Sequence, residues 1–133
     1  MTATTAVTVQ DRLRELIQYI KTGRIIEAMH EFYDKDVQMQ DNANPPTAGL
    51  AANIERENQF LSSVKEWKGS AVKAIAVDSD ASFVEWVFDW IATDGTPVHR
   101  EQVAAAKWRN GKTTHERFYY DPVVLPKPGD STT

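Results

Sequence analysis

The sequence predicts an α+β fold in which helices pack on one face of a curved antiparallel sheet, and three observations carry that prediction. Apolar residues in the first half recur at helical spacing, whereas after Gly69 the period becomes two and stays there. The breaks in the second half include Asp94-Gly95 and Asn110-Gly111, strong short-range hairpin signals. Helices are thus segregated from strands along the chain, which is the α+β order rather than the alternating one. The 133 residues, 41% hydrophobic and 26% charged, suit one compact domain.

Each element follows from local pattern. Val9, Leu13, Leu16, Ile17 and Ile20 make a helical stripe behind Thr8, whose hydroxyl can cap the helix with Asp11 three residues on. Gly23 suits the left-handed position after it. A second short helix carries Ile25, Ile26, Met29 and Phe32. A weak alternation from Asp36 to Asp41 predicts a short strand, broken by residues 42–46. Thr47 is placed to cap a third helix with the stripe Leu50, Ile54, Leu61 and Val64. Strands are then expected at about 70–78, 82–93, 97–109 and 112–121. The order is α-α-β-α-β-β-β-β, one domain over 9–121, with flexible tails at 1–8 and 122–133. The second tail is punctuated by Pro122, Pro126, Pro128 and Gly129.

Composition excludes several functions. Without cysteine there is no thiol nucleophile, disulfide framework or thiolate metal site. Fifteen basic against 19 acidic side chains, a net charge of −4, disfavours a nucleic-acid surface. Residues 1–8 hold no Lys or Arg and no apolar run of signal-peptide length. The most apolar stretch, 83–92, is interrupted by Glu85 and Asp89 and is far shorter than the roughly 20 residues of a membrane span. A cytoplasmic protein that engages no membrane is expected. No phosphate-binding glycine loop or serine elbow is present. His99 and Glu101 share a strand face, but a metal site needs a third ligand, and the calcium-loop spacing fails around Asp34, Asp36 and Asp41. No metal and no cofactor are expected.

Specific residues resemble the nuclear transport factor 2-like superfamily, and within it the SnoaL-like group. The matching stretches are Phe32-Tyr33-Asp34-Lys35-Asp36-Val37 into Gln40-Asp41-Asn42, Thr47-Ala48-Gly49-Leu50, and Asn110-Gly111-Lys112 through Glu116-Arg117-Phe118-Tyr119-Tyr120-Asp121. The resemblance covers roughly residues 8 to 121. It implies a cone-shaped, cystatin-like fold: the sheet wraps around the three helices and leaves a pocket at its wide end, while its outer face often makes a dimer. It does not fix an activity, because the superfamily holds isomerases, cyclases, hydrolases, dehydratases and non-enzymatic binding domains.

Asp41 stands where ketosteroid isomerases of this superfamily carry a general base; a turn residue bonding its own backbone is the competing reading. The isomerase's oxyanion-binding aspartate aligns with Ala105 and its helical tyrosine with Leu16, so that steroid mechanism is not carried over. Glu57 lies near the centre of the third helix's apolar stripe, either partnered by Lys107, Tyr120 or His99 inside a pocket or curling to solvent. Glu116, Phe118 and Tyr120 share a face of the last strand, which the family comparison points inward. Val84, Trp86, Phe88 and Trp90 share one face of the strand expected at 82–93; Glu85, Val87 and Asp89 lie on the other. Ordinary patterning puts the tryptophans in the core. The resemblance, carried over by the hairpin glycines, favours the reverse, with Trp86, Phe88, Trp90 and Trp108 on an outer homodimer face and the acids inside.

The expected site is then Asp41, Asp89, Glu116 and Tyr120 as acid/base groups. Leu16, Glu57, Glu85, Val87, Glu101, Lys107 and Phe118 are expected around a small, largely apolar organic molecule. An isomerase, cyclase or hydratase/dehydratase is the leading function; a non-catalytic ligand-binding module or a dimeric interaction domain are the alternatives.

Overall fold

The computed structural model describes residues 8–122. The two tails expected from the sequence lie, apart from Thr8 and Pro122, outside the described residues. Helix α1 (Val9–Lys21) opens where expected: the Thr8 hydroxyl accepts from the Asp11 amide at 3.0 Å. It ends into Gly23 at φ 77, a left-handed position that costs glycine nothing. Helix α2 (Ile25–Phe32) runs directly into strand β1 (Tyr33–Asp41), which begins three residues earlier than the alternation indicates.

The next turn departs from expectation. Thr47 does not cap a helix; with Ala48 it forms a two-residue strand, β2, paired with β1. The cap of α3 (Leu50–Ser62) is Gly49 at φ 96. Asn53, 3% exposed, explains the shift. Its amide donates to the carbonyls of Gly49 at 2.8 Å and Thr47 at 3.0 Å, tying the helix start to the strand before it. Val64 likewise leaves the helix and heads strand β3 (Val64–Asp78).

Strands β4 (Ala81–Ala92), β5 (Pro97–Arg109) and β6 (Lys112–Tyr120) complete an open six-stranded sheet in the order β2-β1-β6-β5-β4-β3. Strands β3 to β6 form an antiparallel meander, while β1 joins β6 in parallel, so the sheet is mixed. The β5–β6 turn has Asn110 at φ 53 and Gly111 at φ 76, the positive pair that a tight primed hairpin turn requires. Three register shifts in the β3–β4 ladder add twist and curvature where the sheet bends over the helices.

The core lies between the helices and the inner sheet face. Phe32 and Val37 are fully buried, with Met29, Leu16 and Trp108 beside them. The sheet presents the opposite face to the one that the resemblance favours. Trp86, Trp90 and Trp108 are each only 3–4% exposed and face inward, with Val84; none forms an outer dimer face. Burying one indole removes about 150–250 Å² from water, so three on one face decide which side of the sheet collapses onto the helices. Trp108 also needs a partner for its N–H and finds the Ser82 hydroxyl at 2.9 Å. Among the described residues no helix is long and apolar enough to cross a membrane.

Candidate functional site

Between the inner face and the helices lies a cavity of about 500 Å³. Its walls combine Trp86, Phe88 and Trp90 of β4, Trp67 of β3 and Phe60 of α3 with a set of polar side chains. The rings interlock: Phe60 stands edge-on to Trp90 at 5.3 Å, and Trp86 stacks on Phe88 at 5.1 Å. This is the mostly apolar, concave surface with a few convergent polar groups that small-molecule sites present. A smaller hollow of about 230 Å³ lies on the opposite face, lined by Phe83, Ala105, Lys107, His115 and Arg117 among others.

The polar groups sit at two depths. Deep in the cavity the Tyr33 hydroxyl donates to Glu116 Oε1, both side chains being buried. The parallel β1–β6 pairing creates this contact by laying the start of β1 beside β6, and it joins residues 83 apart in sequence. Burial pushes the Glu116 carboxyl up to about 7; the nearby charge of Glu57 adds to the rise, while the Tyr33 hydrogen bond opposes it. Burial and the adjacent carboxylate hold the Tyr33 phenol well above its usual range, so it remains a donor.

Nearer the mouth, Asp41 at the end of β1 pairs with Arg56 of α3 at 2.6 Å. Glu57, one residue on, faces the cavity with its carboxyl raised by burial and by Asp41, and pulled back by Arg100 and Arg56. Tyr120 closes this end, its phenol raised by burial and then by Asp41. Arg100 of β5 lies over the Tyr120 ring at 4.1 Å and over Trp90 at 5.1 Å.

Of the residues singled out by sequence, the structure brings Asp41, Glu57, Glu116, Phe118 and Tyr120 together around the cavity. It does not bring the others. Leu16 is buried in the core and is not on the cavity wall. Glu85, Val87, Asp89, Glu101 and Lys107 are on the outer face, because inward tryptophans at even positions of β4 force the odd ones out. Asp89 meets His99 there at 2.7 Å. Two of the partners proposed for Glu57, Lys107 and His99, are therefore across the sheet from it. Ala105 also faces out, between inward Ala104 and Ala106.

Sequence reasoning missed Tyr33, Arg100 and Arg56. For Arg100 a usable signal existed: it alternates in phase with Gln102, Ala104 and Ala106, a face holding no other charge between 100 and 108. Tyr33 gave none, since it belongs to a helix–strand junction whose partner is fixed only by long-range pairing.

Three solved structures of this shape place the architecture. A Mesorhizobium loti protein provisionally named a SnoaL-like polyketide cyclase superposes with a TM-score of 0.73 at 23% identity, covering 85% of this chain and 99% of its own. The fold is that of the SnoaL-like, nuclear transport factor 2-like proteins. A Bacillus subtilis protein provisionally named an isomerase matches this SnoaL-like fold at a TM-score of 0.71 and 16% identity, over 85% and 86% of the two chains. TerC, co-crystallised with polyporic acid, matches at 0.71 and 16% over 84% and 90%. No family model and no curated protein matches this chain by sequence.

Proposed function

We propose that this protein is an acid/base enzyme of the isomerase or cyclase type, acting without a cofactor on a small, largely apolar organic molecule held in the 500 Å³ cavity. The observation that carries the reading is Glu116: a buried carboxyl on the cavity wall, in contact with a buried phenol and poised near pH 7. A catalytic acid or base is most effective when its pKa lies close to the working pH, and burial is the usual way to raise a carboxyl there. As a carboxylate, Glu116 takes a proton from an activated carbon while Tyr33 hydrogen-bonds the carboxylate and holds it in place. As the acid, it returns the proton to a neighbouring position. Names of cyclases and isomerases among proteins of this fold support the class, as does a small organic ligand crystallised in one of them.

Proton exchange tests this without knowledge of the substrate. Deuterium exchange at the α-carbon of 2-tetralone, followed by NMR, is expected to be accelerated by the protein and to rise as Glu116 ionises through about pH 7. Glu116→Gln should remove about a hundredfold of that acceleration or more, the range typical of one general base. A Gln variant that is folded and exchanges as fast as the parent chain would exclude Glu116 as the proton carrier.

A further inference from the structure

The cations lining the cavity are not equivalent. Arg56 is committed to Asp41 at 2.6 Å and to the Thr47 hydroxyl at 3.1 Å. Lys21 belongs to the exposed last turn of α1 and is solvated. Arg100 is different: it is half-buried, stacked on Tyr120 at 4.1 Å and near Trp90 at 5.1 Å and Phe60 at 5.8 Å. No described residue accepts a hydrogen bond from it or makes an ion pair with it. A guanidinium carries five N–H donors in a rigid planar fork, and the ring faces that hold it satisfy none of them. Glu57, also on the cavity wall, feels the charge of Arg100. It does not reach ion-pair contact with Arg100, and burial together with Asp41 disfavours its charged form.

We infer that Arg100 is the anion-binding group of this cavity and that its ligand is a flat, apolar carboxylate whose acid group docks on the Arg100 fork. The fork matches a carboxylate in two parallel hydrogen bonds, and the rings that immobilise it reduce the ordering cost of making them. Position sets the ligand's length. Arg100 stacks on Tyr120, which lies four residues along β6 from Glu116, roughly 13 Å of strand at about 3.3 Å per residue. A molecule that reaches from the Arg100 fork toward Glu116 is therefore about two fused rings long or longer, with the carboxylate at the mouth and the far ring deep. The aromatic walls between the two ends, Trp86 and Phe88, suit such a planar body. The inference rests on the acid/base reading only for which end reacts; the anion contact stands or falls separately.

Calorimetric titration of 2-naphthoate against its neutral isostere 2-naphthamide tests it. The carboxylate is expected to bind about tenfold or more tightly than the amide, the size of one charge-assisted hydrogen-bonded pair, and the gap should narrow as salt is raised. Arg100→Met should bring the ratio to about one while the amide's own affinity changes little. Arg100→Gln, which keeps a donor but not the charge, serves the same purpose if the Met variant does not fold. Glu116→Gln should leave the carboxylate-to-amide ratio as it is in the parent chain, even where it abolishes exchange into 2-tetralone. Equal affinity for acid and amide in the parent chain, an unchanged ratio in folded Arg100 variants, or no binding of either probe would each overturn the inference. The first two outcomes would leave the acid/base role of Glu116 intact.

Discussion

Strands β4 and β5 present two faces built from the same alternating sequence, and they have opposite characters. The inner face carries Val84, Trp86, Phe88 and Trp90 opposite Ala104, Gln102, Arg100 and Val98. The outer face carries Phe83, Glu85, Val87 and Asp89 opposite His99, Glu101, Val103 and Ala105. By acid count the outer face is the more functional in appearance, with an Asp–His contact at 2.7 Å and Glu101 within 3.8 Å of the same imidazole. Yet the groups whose pKa values are displaced by burial (Tyr33, Glu57, Glu116 and Tyr120) all lie on the cavity side. For each of these four groups burial is the largest cause of the shift, and neighbouring carboxylates only add to it. The difference teaches that removal from water is what gives a site of this kind its character, and that follows from where the large aromatic surface is buried.

The largest effect that separates the faces is on stability. Trp86→Ala is expected to cost about 3–5 kcal/mol, the range for emptying a buried aromatic site, and Phe83→Ala, three residues earlier on the outer face and 41% exposed, about 0.5 kcal/mol. Urea midpoints of the two variants measure both. Comparable losses would mean that the outer face is covered in the folded state, for instance by a second copy of the chain.

How much of this was legible in the sequence follows from the same comparison. A period of two states which residues share a face, and Trp86 does share one with Trp90, as Glu116 does with Tyr120. It does not state which face is buried, and moving the pattern by one residue exchanges the two sets. A register carried across the hairpin glycines makes that exchange, and takes Asp89, Glu85 and Glu101 with it. The aromatic content argued the other way and was the better guide, because buried area, unlike register, is an energy. Helices were legible to within a turn where caps are local, as at Thr8, and slipped where they are not, as at Thr47, whose strand role depends on pairing with Met39. Tyr33 and Glu116, the deepest part of the site, meet across 83 residues and could not be paired by any local rule.

A smaller effect, with a definite sign in pH, distinguishes a buried inner carboxyl from a solvated one. Glu116 titrates at about 7 in the folded protein against an ordinary value of 4.5. Between those values the folded chain holds the proton more tightly than the unfolded chain, so stability falls as pH rises through the window and levels off above about 7. The full span corresponds to about 3 kcal/mol at most. Urea unfolding at pH 5 and pH 8 should show the parent chain weaker at pH 8. In Glu116→Gln most of that difference should vanish, leaving a residue of the same sign from Glu57, whose carboxyl is raised for the same reason. A parent chain equally stable at both pH values would place Glu116 in contact with water.

The smallest expected effect is the most pointed, because it concerns the acid that alternation alone made attractive. Asp89 meets His99 on the outer face, where its side chain is 34% exposed. A pair so open to solvent contributes less than about 1 kcal/mol. Asp89→Asn should therefore lower stability only slightly, and since the sheet separates it from the cavity, it should leave deuterium exchange into 2-tetralone unchanged. Exchange that fell tenfold or more in Asp89→Asn while persisting in Glu116→Gln would move the chemistry to the outer face, to the Asp89–His99–Glu101 group. The two variants measured side by side thus decide between the faces by activity, independently of what the tryptophans do to stability.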